Sequence, residues 1–65
     1  MRLILNGDEV VTYCSTLEDF CLENKYDLEI IATAMNGIFV PKDLRINTIL
    51  EEGDQIDILA PLQGG

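Results

Sequence analysis

Two Asn-Gly dipeptides, at residues 6–7 and 36–37, constrain the fold of this chain most, because each lies between short apolar runs. Asparagine and glycine both tolerate positive φ, so Asn-Gly is the strongest short-range signal for a tight β-hairpin turn. The flanking runs are rich in β-branched and aromatic residues, as is typical of paired strands. The sequence therefore predicts two hairpins. Their strands cover residues 2–6, 9–13, 30–36 and 38–40.

One helix is predicted between the two hairpins, over about residues 16–25. Leu17, Phe20, Cys21 and Leu28 recur at helical spacing, which gives the helix one apolar face. Ser15 and Glu18 are three residues apart and match a capping box at the helix start. Lys25 suits the negative end of the helix dipole. We expect the acidic side chains on the other face to be solvated: Glu18, Asp19 and Glu23.

The strand over residues 30–36 alternates small and larger side chains. Ala32 and Ala34 share one face, which predicts that another element, the helix, packs closely there. Pro41 ends the following strand because proline cannot donate to a strand ladder. Asn36-Gly37 is interpreted as turn geometry alone.

The last part of the body is predicted to be an irregular segment, a turn and a final strand. Within residues 42–50 the expected core anchors are Ile46, Ile49 and Leu50. Asp54 is expected to cap the turn before the last strand. Residues 55–60 alternate, with Ile56 and Ile58 on one face and Asp57 and Leu59 on the other.

This order of elements predicts an α+β fold with a mixed sheet of four to five strands and one helix packed across one face. The helical crossover allows the first and last strands to pair in parallel. Such an architecture is the β-grasp, or ubiquitin-like, fold. We expect residues 1–60 to form this domain and residues 61–65 to form a flexible C-terminal Gly-Gly tail.

Composition excludes several classes of function. The 65 residues contain 12 Asp and Glu, 4 Lys and Arg and no His, so the formal net charge is −8. This charge disfavours binding to nucleic acid or anionic lipid and favours a basic protein partner. Without histidine, Cys14 and Cys21 cannot complete a zinc site, and they are interpreted as small core residues. A cytoplasmic protein without bound metal or cofactor is expected.

The chain ends in Gly64-Gly65, shortly after Pro61 and Leu62. Five extended residues span roughly 17 Å, and two terminal glycines can enter a slot too narrow for side chains. A carboxylate must be activated before a nucleophile can attack it. The sequence has no phosphate-binding loop of the Gly-x-x-x-x-Gly-Lys type, so activation is expected to come from a partner that uses ATP.

Three segments resemble the ThiS family of sulfur carrier proteins of thiamin biosynthesis. The segment Met35-Asn36-Gly37-Ile38-Phe39-Val40-Pro41-Lys42 is similar to the family's "NGxxVP(R/K)" pattern. Residues 50–58 are similar to its "LxxGDxIxI" pattern, and Gly64-Gly65 matches its ending. The resemblance spans the whole chain. It implies a β-grasp fold and a carrier function rather than an enzyme.

The resemblance also implies partners and sites. An E1-like (ThiF-like) adenylyltransferase would adenylate Gly65, a sulfur donor protein would supply the sulfur of a thiocarboxylate, and a thiazole synthase (ThiG-like) would receive it. Gly65 is then the site of covalent modification, and Gly64 is the residue that threads the partner's channel. Leu59 and Leu62 are predicted to form an apolar docking patch beside the tail, although core packing is an alternative for Leu59.

Several alternatives remain open at this level. The small subunit of molybdopterin synthase (MoaD-like) shares the Gly-Asp pair and the Gly-Gly ending, and the apolar tail residues Pro61 and Leu62 keep it under consideration. A ubiquitin-type modifier or a binding module is also compatible with the sequence. An enzyme is disfavoured, since the chain offers no histidine base and no Cys/His or Ser/His pair.

Overall fold

A computed structural model of the protein describes residues 1–61. One helix, α1, spans Leu17–Glu23, and a 3₁₀ helix spans Lys42–Asn47. Five strands form one sheet in the order β2-β1-β5-β3-β4. In chain order the strands β1 to β5 are Arg2–Leu5, Asp8–Val11, Ala32–Met35, Ile38–Val40 and Gln55–Leu59.

The centre of the sheet is a parallel pair between its first and last strands. Ile4 pairs with Gln55 and Leu5 with Ile56, whereas the other neighbouring strands run antiparallel. This mixed sheet with a single α-helix confirms the predicted β-grasp fold class. Both strands of the parallel pair are shielded from the sheet edges, which β2 and β4 occupy.

Both predicted hairpins are present. Their turn residues take positive φ, at 50° and 89° for Asn6 and Gly7 and at 53° and 84° for Asn36 and Gly37. These values require residues that tolerate the left-handed region, as asparagine and glycine do. The third predicted strand is shorter than expected, because β3 begins only at Ala32 and Ile30 belongs to the turn before it.

The hydrophobic core lies between α1 and one face of the sheet, which we call the inner face. It contains three of the four apolar residues assigned to the helix face by spacing, and both inward-facing isoleucines of β5. The fourth, Leu28, lies beyond the end of α1 and packs against the core while only partly buried. Cys21 is fully buried in this core and Cys14 packs against it, and both are free thiols. The buried apolar set is Leu3, Leu17, Phe20, Cys21, Ile31, Val40, Leu50, Ile56 and Ile58.

The helix begins one residue later than its predicted capping box. Thr16, not Ser15, is the N-cap, and its side-chain oxygen accepts a hydrogen bond from the Asp19 amide at 3.2 Å. A threonine fills this role nearly as well as a serine does, so the sequence alone did not separate two adjacent candidates. The helix ends at Glu23, and Lys25 adopts φ 65° beyond the cap.

Two assignments within residues 42–50 were wrong. Ile46 and Ile49 are 56% and 60% exposed, whereas Leu50 is buried as predicted. The segment forms a 3₁₀ helix that turns Arg45, not an isoleucine, toward the interior. The Arg45 side chain is 2% exposed and donates to the Thr33 hydroxyl and to the Leu28 and Ile31 carbonyls, at 3.0, 2.9 and 2.7 Å.

The predicted packing of the helix against Ala32 and Ala34 was also wrong. Thr33 between them is buried on the inner face, while Ala32 is exposed and Ala34 half-buried on the opposite, outer face. The inner face accepts Thr33 because its hydroxyl donates to the Val40 carbonyl at 2.9 Å and accepts from Arg45. The alanines instead shape the outer face of the sheet.

Candidate functional site

The strand that leads to the C-terminal tail, β5, is held on both sides by backbone hydrogen bonds. On the β1 side, the Ile4 amide donates to the Asp54 carbonyl and the Asn6 amide to the Ile56 carbonyl, each at 2.9 Å. On the other side β5 pairs with β3 along four residues of each strand. The chain therefore leaves the domain from a strand whose position in the sheet is fixed.

The first turn asparagine, Asn6, adds side-chain contacts to β5. Asn6 Oδ1 accepts from the Ile58 amide at 2.8 Å, and Asn6 Nδ2 donates to the Ile58 carbonyl at 3.2 Å. This pair of bonds extends the parallel ladder beyond the end of β1. Asn6 therefore acts as a substitute for one more residue of strand pairing.

The second turn asparagine, Asn36, makes a similar contact at the start of β5. Its Oδ1 accepts from the Gln55 amide and its Nδ2 donates to Asp54 Oδ1, both at 3.0 Å. Asp54 Oδ2 accepts from the Glu51 amide at 2.8 Å, which confirms the predicted turn cap. Asn36 was assigned from the sequence to turn geometry alone, so this role was missed. Glycine would fit the same turn, so the presence of asparagine at this position was the available sign that its side chain has a further contact.

The outer face of the sheet carries an apolar surface beside the end of β5. Leu59 is 71% exposed and points to the face of β5 opposite to the one that carries Ile56 and Ile58. Its predicted outward orientation is therefore confirmed, and the alternative prediction that Leu59 packs in the core is wrong. Phe39, 64% exposed, shares this face through its pairing with Ala34. We call this surface the outer patch, defined as Ala32, Ala34, Phe39, Asp57 and Leu59.

Phe39 was not among the predicted docking residues, although its position in the sequence carried the signal. Val40 follows it and is buried on the inner face, so strand alternation places Phe39 on the outer face. The other predicted site residues, Leu62, Gly64 and Gly65, lie outside the described residues. Their roles in docking, threading and covalent modification stay predictions.

The described surface is acidic because the chain has 12 carboxylates and only 4 Lys and Arg residues, most of which are engaged. Arg2 lies 3.6 Å from both Glu9 and Glu52, and Lys42 pairs with Glu29. Arg45 is buried. Lys25 is the remaining Lys or Arg of the sequence, so the 12 carboxylates dominate the surface. This distribution favours a partner with a basic docking surface.

Two features of the described residues bear on metal binding and on thiol chemistry. Within residues 1–61, His, Cys, Asp and Glu form no group of three or more that could hold a metal ion. Burial raises the pKa of the Cys21 thiol, and the Glu18 carboxylate adds to that rise while Arg45 opposes it. A raised pKa leaves less of the nucleophilic thiolate at neutral pH. In the same part of the chain, no helix is long and apolar enough to cross a membrane.

Known proteins share both the sequence pattern and the fold of this chain. The ThiS family matches residues 3–65, which is nearly the whole chain and includes both terminal glycines. The chain belongs to the ThiS family. No curated protein matches it significantly.

Two solved structures of a thiamine biosynthesis protein from Geobacter metallireducens resemble this ThiS-family chain. The crystal structure, of a protein named ThiS, is 19% identical with a TM-score of 0.82, and the match covers 100% of both chains. The NMR structure is 20% identical with a TM-score of 0.84, covering 100% of this chain and 88% of the other. At such identities the likeness establishes the shared β-grasp architecture.

Proposed function

We propose that this ThiS-family protein is a sulfur carrier of thiamine biosynthesis and a co-substrate of its partner enzymes. The observation that supports this function most is the family match through residue 65, which includes the Gly64-Gly65 ending. The names of its structural neighbours point to the same pathway. The anchored β5 strand and the exposed outer patch suit a protein that presents its terminus to other proteins.

The proposed chemistry takes place at the Gly65 carboxylate. An oxygen of this carboxylate attacks the α-phosphorus of ATP in an E1-like partner, and pyrophosphate leaves. A sulfur nucleophile from a donor protein then attacks the carbonyl carbon of the acyl adenylate. The carbon–sulfur bond forms, the carbon–oxygen bond to AMP breaks, and AMP leaves with the electron pair. When the attacking atom is the outer sulfur of a persulfide on the donor protein, this step gives an acyl disulfide. A thiol then attacks the donor's own sulfur, the S–S bond breaks, a disulfide forms between that thiol and the donor, and the thiocarboxylate leaves with the electron pair. The thiocarboxylate delivers its sulfur to a thiazole synthase.

The body and the tail have separate tasks in this proposal. Leu59, together with Leu62, contributes apolar contact to the partner's docking surface. Gly64 passes through the partner's channel, since it has no side chain to obstruct it. The partner supplies ATP binding, so this chain needs no cofactor of its own. The hydrogen bonds of β5 to Asn6 and Asn36 prevent the strand from shifting when the tail is engaged.

Intact mass measurement tests the function directly. The chain is incubated with ATP, the E1-like enzyme of the same organism and a sulfur donor protein. We expect a product in which one oxygen is replaced by sulfur. Deletion of Gly65 should abolish this product while the thermal unfolding temperature stays unchanged. Gln63→Ala, which leaves both glycines in place, is the matched control and should still be converted.

Two other outcomes would assign the chain differently. An isopeptide bond to a lysine of another protein, without thiocarboxylate, would indicate a ubiquitin-type modifier. Sulfur transfer to the large subunit of molybdopterin synthase, and not to thiazole synthase, would indicate the molybdopterin pathway. Absence of any adenylate with an active E1-like enzyme would contradict the carrier function.

A further inference from the structure

The register of β3 with its two neighbouring strands indicates a groove in the outer patch, with two small side chains as its floor. Ala34 on β3 pairs with Phe39 of β4 on one side and with Asp57 of β5 on the other. Ala32 pairs with Leu59. Paired residues on one sheet face have Cβ atoms about 5 Å apart, so larger side chains rise on both sides of the alanines. The groove therefore runs along β3, with an apolar floor.

One carboxylate stands in the wall of this groove without a partner. Among residues 1–61, Asp57 makes no side-chain hydrogen bond and no ion pair, and its side chain is exposed. Arg2, Lys42 and Arg45 are engaged elsewhere, and Lys25 forms no ion pair with Asp57. Residues 62–65 contain no cationic side chain. Asp57 is thus a negative charge beside apolar surface, with no cation of its own chain assigned to it.

We propose that the groove receives an arginine or lysine side chain of the E1-like activating enzyme. The aliphatic stem lies over Ala32 and Ala34, and the charged head pairs with Asp57. Long basic side chains combine these two parts, an apolar stem and a charged end, and so complement the groove along its length. The acidic net charge of the chain favours a basic partner residue over a neutral one.

This inference rests on the proposed function and adds a geometric requirement to it. Eight residues follow Asp57 up to and including Gly65, so the tail beyond Asp57 spans at most about 28 Å when fully extended. The basic residue of the enzyme must therefore lie within about that distance of its adenylation centre. Asp57 then acts as a positioning residue, because it sets where the tail begins relative to that centre.

Binding kinetics with matched charge variants test the proposal. The probe is the purified E1-like enzyme of the same organism, without ATP, at low and high salt. Asp57→Asn should lower the association rate constant about 5-fold and flatten its dependence on salt, because steering charges act mainly on association. Asp43→Asn removes the same charge from the 3₁₀ helix, away from the groove. This control should change the rate less than about 2-fold.

A second pair of variants tests the apolar floor without altering charge. Ala34→Leu fills the groove and should weaken binding about 10-fold, whereas Ile46→Leu on the exposed 3₁₀ helix should leave it unchanged. Thermal unfolding verifies that each variant folds. Asp57→Lys places a positive charge beside the proposed basic side chain of the enzyme, so it should reduce binding more than Asp57→Asn does.

Failure of the groove proposal can be distinguished from failure of the proposed carrier function. If the wild-type chain is converted to the thiocarboxylate while Asp57→Asn binds as Asp43→Asn does, the function stands and the groove proposal is wrong. If an active enzyme neither binds nor adenylates the wild-type chain, both are wrong. Equal salt dependence of the wild type and Asp57→Asn would also contradict the proposed ion pair.

Discussion

The two faces of the sheet are built from the same strands and differ in almost every property. On β5, Ile56 and Ile58 of the inner face are at most 4% exposed, whereas Leu59 of the outer face is 71% exposed. On β3, buried Thr33 alternates with the outward Ala32 and Ala34. A shift of one residue along a strand therefore separates side chains that hold the domain together from side chains available to a partner.

This difference shows that stability and recognition can be changed independently in this small protein. The inner face is covered by α1 and by residues of the 3₁₀ segment, so substitutions there act on folding. The outer face has no covering element within residues 1–61. Substitutions on that face are expected to act on partner binding and to leave the free energy of unfolding nearly unchanged.

The largest expected effect contrasts two residues on opposite faces of β5. Ile56→Ala should lower the free energy of unfolding by about 3 kcal/mol, because it removes buried methyl groups and leaves a cavity. Leu59→Ala should change it by less than about 0.5 kcal/mol. Urea denaturation of both variants provides the measurement. Similar losses for the two variants would contradict the division of the sheet into a core face and a free face.

The second prediction concerns the buried Arg45 side chain, which forms hydrogen bonds at the inner face of the sheet. Arg45→Lys should cost about 2 kcal/mol, since lysine keeps the buried charge but cannot reproduce the planar three-way contact to Thr33, Leu28 and Ile31. Chemical denaturation measures the loss. Lys42→Arg, at an exposed ion pair of the same 3₁₀ helix, is the control and should be near neutral. Equal losses of unfolding free energy in Arg45→Lys and Lys42→Arg would show that the buried hydrogen bonds of Arg45 do not stabilise the fold.

A third prediction separates the turn role of the asparagines from their contact to β5. Asn6→Gly and Asn36→Gly retain positive φ but remove the side-chain hydrogen bonds, so each should cost about 1 kcal/mol. Hydrogen exchange at the Ile58 and Gln55 amides should rise selectively in the matching variant. Unchanged exchange in both would mean that the turn geometry alone holds the strand.

The smallest effect is a difference in thiol reactivity. Burial raises the pKa of the Cys21 thiol, so at mildly alkaline pH its thiolate fraction is lower than that of a thiol in water. We expect iodoacetamide to modify half-buried Cys14 before Cys21, as followed by peptide mass mapping. The raised pKa in the folded state also makes the free energy of unfolding depend on pH. The contribution of the protonated Cys21 thiol is fully present below the ordinary thiol pKa, and it is lost as pH rises from the ordinary pKa through the raised pKa. Faster modification of Cys21 would contradict its burial in the inner core.

Sequence patterns predicted the elements well where local chemistry decides the outcome. The Asn-Gly turns, the alternation of β5 and the cap at Asp54 each depend on a few neighbouring residues, and each is confirmed. The assignments of Ile46, Ile49 and the alanine face failed for a common reason. Hydrophobicity alone does not specify which way a short, irregular or nearly all-apolar segment turns toward the core.

The candidate site divides along the same line. Strand alternation placed Leu59 outward, as its exposure confirms, whereas the roles of Gly64 and Gly65 stay predictions. The groove required more, because Ala34, Phe39 and Asp57 come from three strands. Their adjacency follows from the register of two antiparallel pairs, which no local pattern in the sequence reveals.

The sequence by itself determined the two turns, the alternation of β5 side chains between two faces, the acidic net charge and the two final glycines. Each is a property of adjacent residues or of composition. Only the tertiary structure decided that Arg45 enters the core, that Asn6 and Asn36 hold β5, and that the alanines lie on the outer face beside Phe39 and Asp57. These outcomes depend on hydrogen bonds and contacts between residues far apart in the chain. Such contacts are selected by the packing of the whole domain and not by any one segment.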